Sequence, residues 1–291
     1  MKLVTFTQGG RTRIGAVEAD EVVDFSASDG GLPQDMLSFL EHGQAALDKA
    51  RAACAAGRGR MALADVTLEA PILRPPKILA VGLNYRDHIE ETGRPMPEVP
   101  MIFNKQSTAV IGPGAGIHRP KDSEALDYEG EFAAVIGTRC RRVPKDKAAG
   151  VIVGYTIVND VSVRDWQMRS ATTTMGKSWD THCPMGPYIV TADEVGDPHR
   201  LDLKTWVNGE LRQNSNTKHL IFNCFDIVEH LSNAFTLEPG DIIATGTPSG
   251  VILGMDPRVW LKPGDVVRIA IDRLGALENP VIAEPDGTVR Y

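Results

Sequence analysis

The sequence predicts an α+β protein that is mostly β. After residue 75, eight apolar runs bounded by glycine, proline and polar residues have the length and composition of strands. Helical patterns in the same region are few, short and unevenly spaced, whereas a doubly wound parallel sheet needs a helix after almost every strand. The first part of the chain combines short strands with one helix. We therefore expect a small N-terminal α/β unit beside a larger, mostly β domain.

The N-terminal unit begins with alternating apolar and polar residues. Strands are predicted at residues 3–7, 14–18 and 22–25. A helix is predicted over residues 34–56, and Gly43 inside it weakens the pattern or marks a break. About 70 residues make only a marginal core. The unit carries no recognisable chemistry, and we expect it to pack on the larger domain or on a partner subunit.

Prolines mark the boundary between the two units. Pro71 and the pair Pro75-Pro76 form a linker-like segment. We place a small N-terminal domain at residues 1–72 and a larger domain at residues 73–291. Strands of the larger domain are predicted at residues 78–83, 101–104, 132–136, 151–159, 188–191, 203–207, 242–245 and 266–271. Helical segments are predicted at residues 86–92, 162–170 and 226–233.

Composition excludes several classes of protein. The chain has 291 residues, of which 42% are apolar and 24% charged, as in ordinary globular proteins. It shows no apolar run of membrane-spanning length and no signal-peptide core, so we expect no membrane partner and a cytoplasmic location. The net charge of −7, without a basic stripe, argues against nucleic-acid binding. The four cysteines are far apart, which disfavours zinc or a disulfide framework.

Three acidic residues adjoin two predicted core strands. Glu129 and Glu131 precede the run Phe132-Ala133-Ala134-Val135-Ile136, and Asp160 closes the apolar stretch that ends at Asn159. Alternate residues of a strand share a face, so the two glutamates are expected roughly 7 Å apart at their Cα atoms. Like charges that enter a core need a compensating cation or strong donors.

A divalent metal is the sharpest explanation for this trio, although each acid also has an ordinary one. Glu-x-Glu on a strand is most often a solvated face, and Asp160 alone could cap the helix that follows it. Carboxylate oxygens favour Mg²⁺, Mn²⁺ or Ca²⁺ over Zn²⁺. Three side chains would leave coordination positions open for a chelating substrate.

Two other segments carry reactive side chains. His88 and Glu91 lie at i and i+3 on a short predicted helix, where a carboxylate can orient an imidazole as a general base. Glu90 is a competing carboxylate. Lys177 follows Gly176 in a loop, and most lysines in such loops are simply exposed.

Five motifs stand in a fixed order along the chain. They are Val81-Gly82-Leu83-Asn84-Tyr85-Arg86-Asp87-His88, Asp127-Tyr128-Glu129-Gly130-Glu131, Asn159-Asp160-Val161-Ser162-Val163-Arg164-Asp165, Gly176-Lys177-Ser178 and Thr245-Gly246-Thr247-Pro248-Ser249-Gly250-Val251. Together they resemble the fumarylacetoacetate hydrolase family, from about Pro75 to the C-terminus. The resemblance implies that the larger domain, residues 73–291, is catalytic and forms a mixed β-roll or sandwich. It also implies a homodimer.

The resemblance also implies roles for individual residues. Glu129, Glu131 and Asp160 would hold Mg²⁺ or Mn²⁺, and Lys177 would stabilise a developing enolate. In hydrolytic members of the family, a His and a Glu at the spacing of His88 and Glu91 form a catalytic dyad on a mobile lid. The resemblance further implies that Thr247 and Gln167 contact the substrate.

The expected function is metal-dependent hydrolysis of a C–C bond in an acylpyruvate or related diketo acid. Oxaloacetate decarboxylation and hydroxymuconate-type isomerisation remain open, because they use the same enolate and also occur in this family. An alternative of another class is a non-catalytic, metal-binding assembly protein. Leu83 and Trp179 depart from the arginine and phenylalanine that some members carry, which leaves the distal half of the substrate undefined.

Overall fold

The computed structural model describes residues 1–28, 31–92 and 95–287, without the side chains of residues 88, 91 and 92. Within this part the strands are β1 (Lys2–Gln8), β2 (Arg11–Glu18), β3 (Glu21–Asp24), β4 (Arg60–Ala62), β5 (Thr67–Leu68), β6 (Ile78–Gly82), β7 (Met101–Lys105), β8 (Val110–Ile111), β9 (Ile117–Arg119), β10 (Leu126–Asp127), β11 (Gly130–Ile136), β12 (Ile152–Asn159), β13 (Ser162–Val163), β14 (Cys183–Thr191), β15 (Asp202–Val207), β16 (Glu210–Asn216), β17 (Ile242–Ala244), β18 (Val266–Ile271) and β19 (Gly275–Ala283). The α-helices are α1 (Met36–Glu41), α2 (Gly43–Ala56), α3 (Arg86–Thr92), α4 (Arg164–Gln167), α5 (Thr174–Lys177), α6 (Ala192–Val195) and α7 (Cys224–Ala234).

Two large sheets organise the described chain. The larger has the order β4-β3-β2-β1-β14-β12-β11-β17-β6-β7, with β5 on β1 and β8 on β14. The smaller has the order β16-β15-β18-β19-β9, and β10 pairs with β13. Most neighbours are antiparallel, but β17–β6, β14–β8 and β19–β9 are parallel. The expectation of a mostly β protein with mixed sheets is confirmed.

The N-terminal strands belong to the same sheet as the proposed metal-bearing strands. Strand β1 pairs with β14, which in turn pairs with β12. One apolar core contains side chains from both parts of the chain, with Leu3 and Phe39 beside Val135 and Ile189. The expected packing of the N-terminal unit on the larger domain is therefore present, while the domain boundary near residue 72 stays a prediction.

Local sequence explains most elements. The helical pattern over residues 34–56 divides into two helices at Gly43, whose φ of +56° glycine adopts without strain. Asp35 caps the first helix by accepting a hydrogen bond from the Ser38 amide at 2.9 Å. The helix predicted at residues 162–170 is wrong in extent, because residues 162–163 pair with β10 as a strand before the short helix α4 begins.

Strands β11 and β12 lie in the middle of the large sheet, and every residue of β11 is buried. Their antiparallel pairing places the start of β11 beside the end of β12, where Gly130 faces Asn159. The turn after β17 and the strands β6 and β7 lie on the adjoining side. No helix of the described chain is long and apolar enough to cross a membrane.

Candidate active site

The three predicted metal ligands come together at the shared end of β11 and β12. One carboxylate oxygen from each of Glu129, Glu131 and Asp160 lies within 4.8 Å of the others. The Asp160 amide donates to the Glu129 carbonyl at 2.8 Å, which continues the pairing of the strands by one residue. Glu129 thus lies immediately before β11, which begins at Gly130, two residues earlier than the strand predicted at residues 132–136.

Burial makes negative charge on these three carboxylates energetically unfavourable. All three carboxylates are buried, and Asp160 is fully so. Burial, followed by the negative charges of Asp160 and Glu129, raises the pKa of Glu131 well above its usual range. The amide of Gly246 donates to the Glu131 carboxylate at 2.8 Å and partly offsets this effect. A group of buried acids with one destabilised carboxylate is a site that a cation would stabilise.

Lys177 lies inside the cluster. Its ammonium is 2.6 Å from Glu129 and 2.7 Å from Asp160, and the residue is only 2% exposed. Burial disfavours its charge, but the two carboxylates outweigh burial and raise the pKa of Lys177 above its ordinary value. Although burial also acts on Glu129, the charges of Lys177 and Arg164 lower the pKa of Glu129 to about 2. The ammonium–carboxylate pair is therefore ionised at neutral pH.

Arg164 is a further candidate site residue, which sequence reasoning did not single out. Its guanidinium donates to Asp127 at 2.8 Å, and Nη2 lies 2.7 Å from oxygens of both Asp127 and Glu129. Nη2 is buried without a well-aligned hydrogen bond. Asp127 also accepts hydrogen bonds from the amides of Ile252 and Leu253, so it anchors the arginine firmly. The guanidinium of Arg164 therefore bridges Asp127 and Glu129.

The two predicted substrate contacts both lie beside the cluster. Gln167 accepts a hydrogen bond from Arg164 at 2.9 Å through its carbonyl oxygen. Its amide nitrogen has no hydrogen-bond partner among the described residues. Thr247 donates to the Gly130 carbonyl at 3.0 Å and accepts from Gln213 at 2.8 Å. The Thr247 hydroxyl proton is thus already committed within the protein.

A cavity of about 420 Å³ opens onto these side chains. Its polar lining includes Glu129, Glu131, Lys177, Arg164, Gln167 and Thr247. Its apolar lining includes Val81, Leu83, Met101, Phe103, Met168 and Leu253. The cavity has the size and mixed character of a small-molecule site.

The predicted dyad cannot be placed in this geometry. His88 and Glu91 belong to helix α3, but their side chains lie outside the described part of the chain. The competing Glu90 is exposed. Both assignments therefore stay predictions.

The larger part of the chain matches the model of a known protein family. The family model for the C-terminal domain of fumarylacetoacetate (FAA) hydrolase matches residues 77–282. The chain belongs to the fumarylacetoacetate hydrolase family. The resemblance found in the sequence motifs is confirmed.

The chain is similar in sequence or structure to three proteins over nearly its whole length. It is 42% identical over 288 residues to the mitochondrial oxaloacetate tautomerase of Xenopus laevis, covering 97% of this chain and 90% of that one. The structure of fumarylacetoacetate hydrolase from Exiguobacterium antarcticum is 39% identical, with a TM-score of 0.87 and coverage of 98% and 100%. Maleylpyruvate hydrolase from Sphingobium sp. SYK-6, in complex with manganese(II) and pyruvate, is 34% identical, with a TM-score of 0.82 and the same coverage. These relatives are enzymes.

The donor set of this family member fits a hard divalent cation. Three carboxylates converge, and no histidine or cysteine joins them in the described cluster. Oxygen donors in this arrangement suit Mg²⁺ or Mn²⁺. Lys177, which contacts two of the three acids, shows that the cluster accommodates positive charge.

Proposed function

We propose that the protein is a Mg²⁺- or Mn²⁺-dependent enzyme that stabilises the enolate of a small 2-oxo acid. One observation carries the proposal: a buried ammonium, on Lys177, is held 2.6–2.7 Å from two acids of a three-carboxylate cluster at the base of a cavity. Fixed positive charge in a water-poor site is worth most where negative charge develops during the reaction.

The metal site would be formed by Glu129, Glu131 and Asp160. When bound, the cation would act as a Lewis acid that polarises the 2-oxo group of the substrate. The three carboxylates provide the negative charge that retains a divalent cation in a buried position, and their few donors leave space for a chelating substrate.

The remaining residues would contact different parts of the substrate. Gln167, through its amide nitrogen, would donate to the carboxylate next to the 2-oxo group, and Arg164 adds positive charge to the same cavity lining. Lys177 would face the oxygen on which enolate charge accumulates. Because the Thr247 hydroxyl proton is directed at the Gly130 carbonyl, Thr247 would contact the substrate through its main-chain N–H.

Keto–enol tautomerisation of oxaloacetate is the reaction we favour. It moves one proton from the carbon beside the 2-oxo group to oxygen and breaks no carbon–carbon bond, so an enolate site and one proton acceptor are sufficient. His88, oriented by Glu91, is our candidate for the proton acceptor. Near full-length similarity to the Xenopus laevis oxaloacetate tautomerase supports this choice.

Hydrolysis of an acylpyruvate is the second candidate. It uses the same enolate as a leaving fragment, and His88 would take a proton from the attacking water instead of from the substrate. Similarity to the manganese- and pyruvate-bound maleylpyruvate hydrolase favours it. Oxaloacetate decarboxylation and hydroxymuconate-type isomerisation require the same enolate stabilisation.

One experiment separates these reactions. The purified protein is incubated with Mn²⁺ and oxaloacetate or an acylpyruvate, and the products are followed by ultraviolet absorbance of the enol and by mass. Loss of enol absorbance without change of mass identifies tautomerisation, whereas addition of water and two fragments identify hydrolysis. Metal binding without turnover of any 2-oxo acid would support the non-catalytic alternative instead.

A further inference from the structure

A second buried lysine, Lys105, contacts one of the proposed metal ligands. Lys105 is the last residue of β7, the strand at one edge of the large sheet, and the residue is only 3% exposed. It stands outside the five sequence motifs. A buried lysine must have its charge and its donors satisfied, or its burial is strongly unfavourable.

All three N–H donors of Lys105 are satisfied. The ammonium donates to Asp160 Oδ1 at 2.6 Å and to the Val161 carbonyl at 3.2 Å. Its third acceptor is the main-chain carbonyl of Lys177. Lys105 is therefore connected both to a proposed metal ligand and to the backbone of the residue proposed to stabilise the enolate.

The Asp160 carboxylate is consequently held between two ammonium groups. Lys105 binds Oδ1, and Lys177 binds Oδ2 at 2.7 Å. Oδ2 shares the Lys177 ammonium with Glu129, whereas Oδ1 is engaged by Lys105. The orientation of Asp160 is thus fixed by a residue that does not itself line the cavity.

We propose that Lys105 is a positioning residue that makes Asp160 present a single oxygen to the cation and sets the place of Lys177 relative to that oxygen. The proposal rests on the metal site proposed above. A side chain that only neutralised buried charge would need to contact Asp160 alone. The additional bond to the Lys177 carbonyl connects the ligand and the lysine, so a change at residue 105 displaces both.

The test compares Lys105→Met with the unchanged protein in three measurements. We expect the dissociation constant for Mn²⁺, measured by calorimetry, to stay within threefold or to decrease, because a neighbouring positive charge has been removed. We expect kcat at saturating Mn²⁺ to fall at least tenfold, since small displacements of catalytic groups are costly. The electron paramagnetic resonance spectrum of bound Mn²⁺ should change, because Asp160 Oδ1 is free to become a ligand.

Lys77→Met is the matched control. Lys77 also pairs with a buried aspartate, Asp241, at 2.7 Å, but it lies outside the metal cluster. We expect this variant to keep the Mn²⁺ spectrum and kcat of the unchanged protein. If Lys105→Met does not fold, Lys105→Gln is used, because a shorter neutral donor reaches only part of the three acceptors and should lower kcat in the same direction.

Two outcomes would overturn the proposal. An unchanged Mn²⁺ spectrum together with unchanged kcat at saturating metal would show that Lys105 positions nothing. Weaker Mn²⁺ binding with kcat restored by added metal would indicate a merely structural role. If the unchanged protein turns over no 2-oxo acid, the proposed function fails, yet the Mn²⁺ affinity and spectrum still decide whether Lys105 orients Asp160.

Discussion

Gly176 lies directly against the main chain of Gln167. A Cβ atom on Gly176 would fall 2.3 Å from the Gln167 nitrogen and 2.4 Å from its Cα, closer than real Cβ contacts come. Gly176 precedes Lys177, and Gln167 is the predicted substrate contact. The absence of a side chain at residue 176 therefore allows Lys177, the lysine proposed to stabilise the enolate, and the Gln167 amide to line the same cavity.

Gly176→Ala should damage both stability and activity. The added methyl must displace backbone, so we expect the free energy of unfolding to fall by about 1–3 kcal/mol. Lys177 should move with it, and kcat should fall in proportion to the displacement. Denaturant titration and steady-state kinetics measure the two effects. Gly150→Ala is the control, because a Cβ there meets no atom within 4 Å and should leave both quantities nearly unchanged.

Metal removal should abolish turnover. A chelator is expected to stop the reaction, and added Mg²⁺ or Mn²⁺ to restore it. Glu129→Gln keeps the shape of the side chain but removes one of the three charges, so Mn²⁺ affinity measured by calorimetry should fall severalfold or more. Asp146→Asn, at an acid whose side chain is 73% exposed, should not alter it. Full activity of metal-stripped protein would refute the proposed metal dependence.

Lys177→Met should separate metal binding from chemistry. Loss of a preorganised positive charge at the developing enolate is expected to lower kcat by about 10²–10³-fold for every 2-oxo acid substrate. Mn²⁺ affinity should not decrease, because the ammonium that contacts Glu129 and Asp160 is gone. Calorimetry and single-turnover kinetics check the two parts. A parallel loss of both would mean that Lys177 supports the fold of the site rather than the reaction.

His88→Ala tests whether this residue moves the proton. Removal of a general base typically costs about 10²–10⁴-fold. Both tautomerisation and acylpyruvate hydrolysis should fall by that amount, whereas oxaloacetate decarboxylation needs no proton acceptor and should be less affected. Glu91→Gln should reproduce part of the loss, and Glu90→Gln should not. The reverse order of the two glutamate variants would assign Glu90 as the partner of His88.

The family resemblance predicts a homodimer. In the structure the N-terminal strands pack on the larger sheet, so their apolar core is formed within one chain. Sedimentation at micromolar concentration should give about twice the chain mass of 31.6 kDa. A species of 31.6 kDa under those conditions would contradict this prediction.

The acidic cluster was accessible from sequence because its signal is local. Glu129 and Glu131 alternate beside an apolar run, and Asp160 ends another, so the conflict between charge and burial is visible in each segment. Arg164 and Lys105 gave no such signal. Their importance depends on contacts with Asp127 and Asp160 across 37 and 55 residues of chain, respectively, which no local pattern encodes.

The strands likewise divide into those with a local sequence signal and those without one. Apolar strands such as β11 and β12 were predicted within a few residues, because burial on both faces leaves an unmistakable composition. Strand β16 was missed since its sequence Glu-Leu-Arg-Gln-Asn-Ser-Asn is mostly polar, and β19 since it contains Asn279 and Pro280. Their pairing with β15 and β18 comes from tertiary contacts rather than from propensity.

The pairing of β1 with β14 has a consequence for synthesis on the ribosome. Lys2 and Leu3 find their partners only at Val190 and Ile189, so this end of the β1 edge stays unpaired until nearly two thirds of the chain has been made, whereas Phe6 and Thr7 pair earlier with β5. Unpaired strand edges attract other chains, and contacts of such large sequence separation form slowly. The nascent protein therefore carries a partly open β edge through most of its translation, and shielding by chaperones should matter more for its yield than for its final stability.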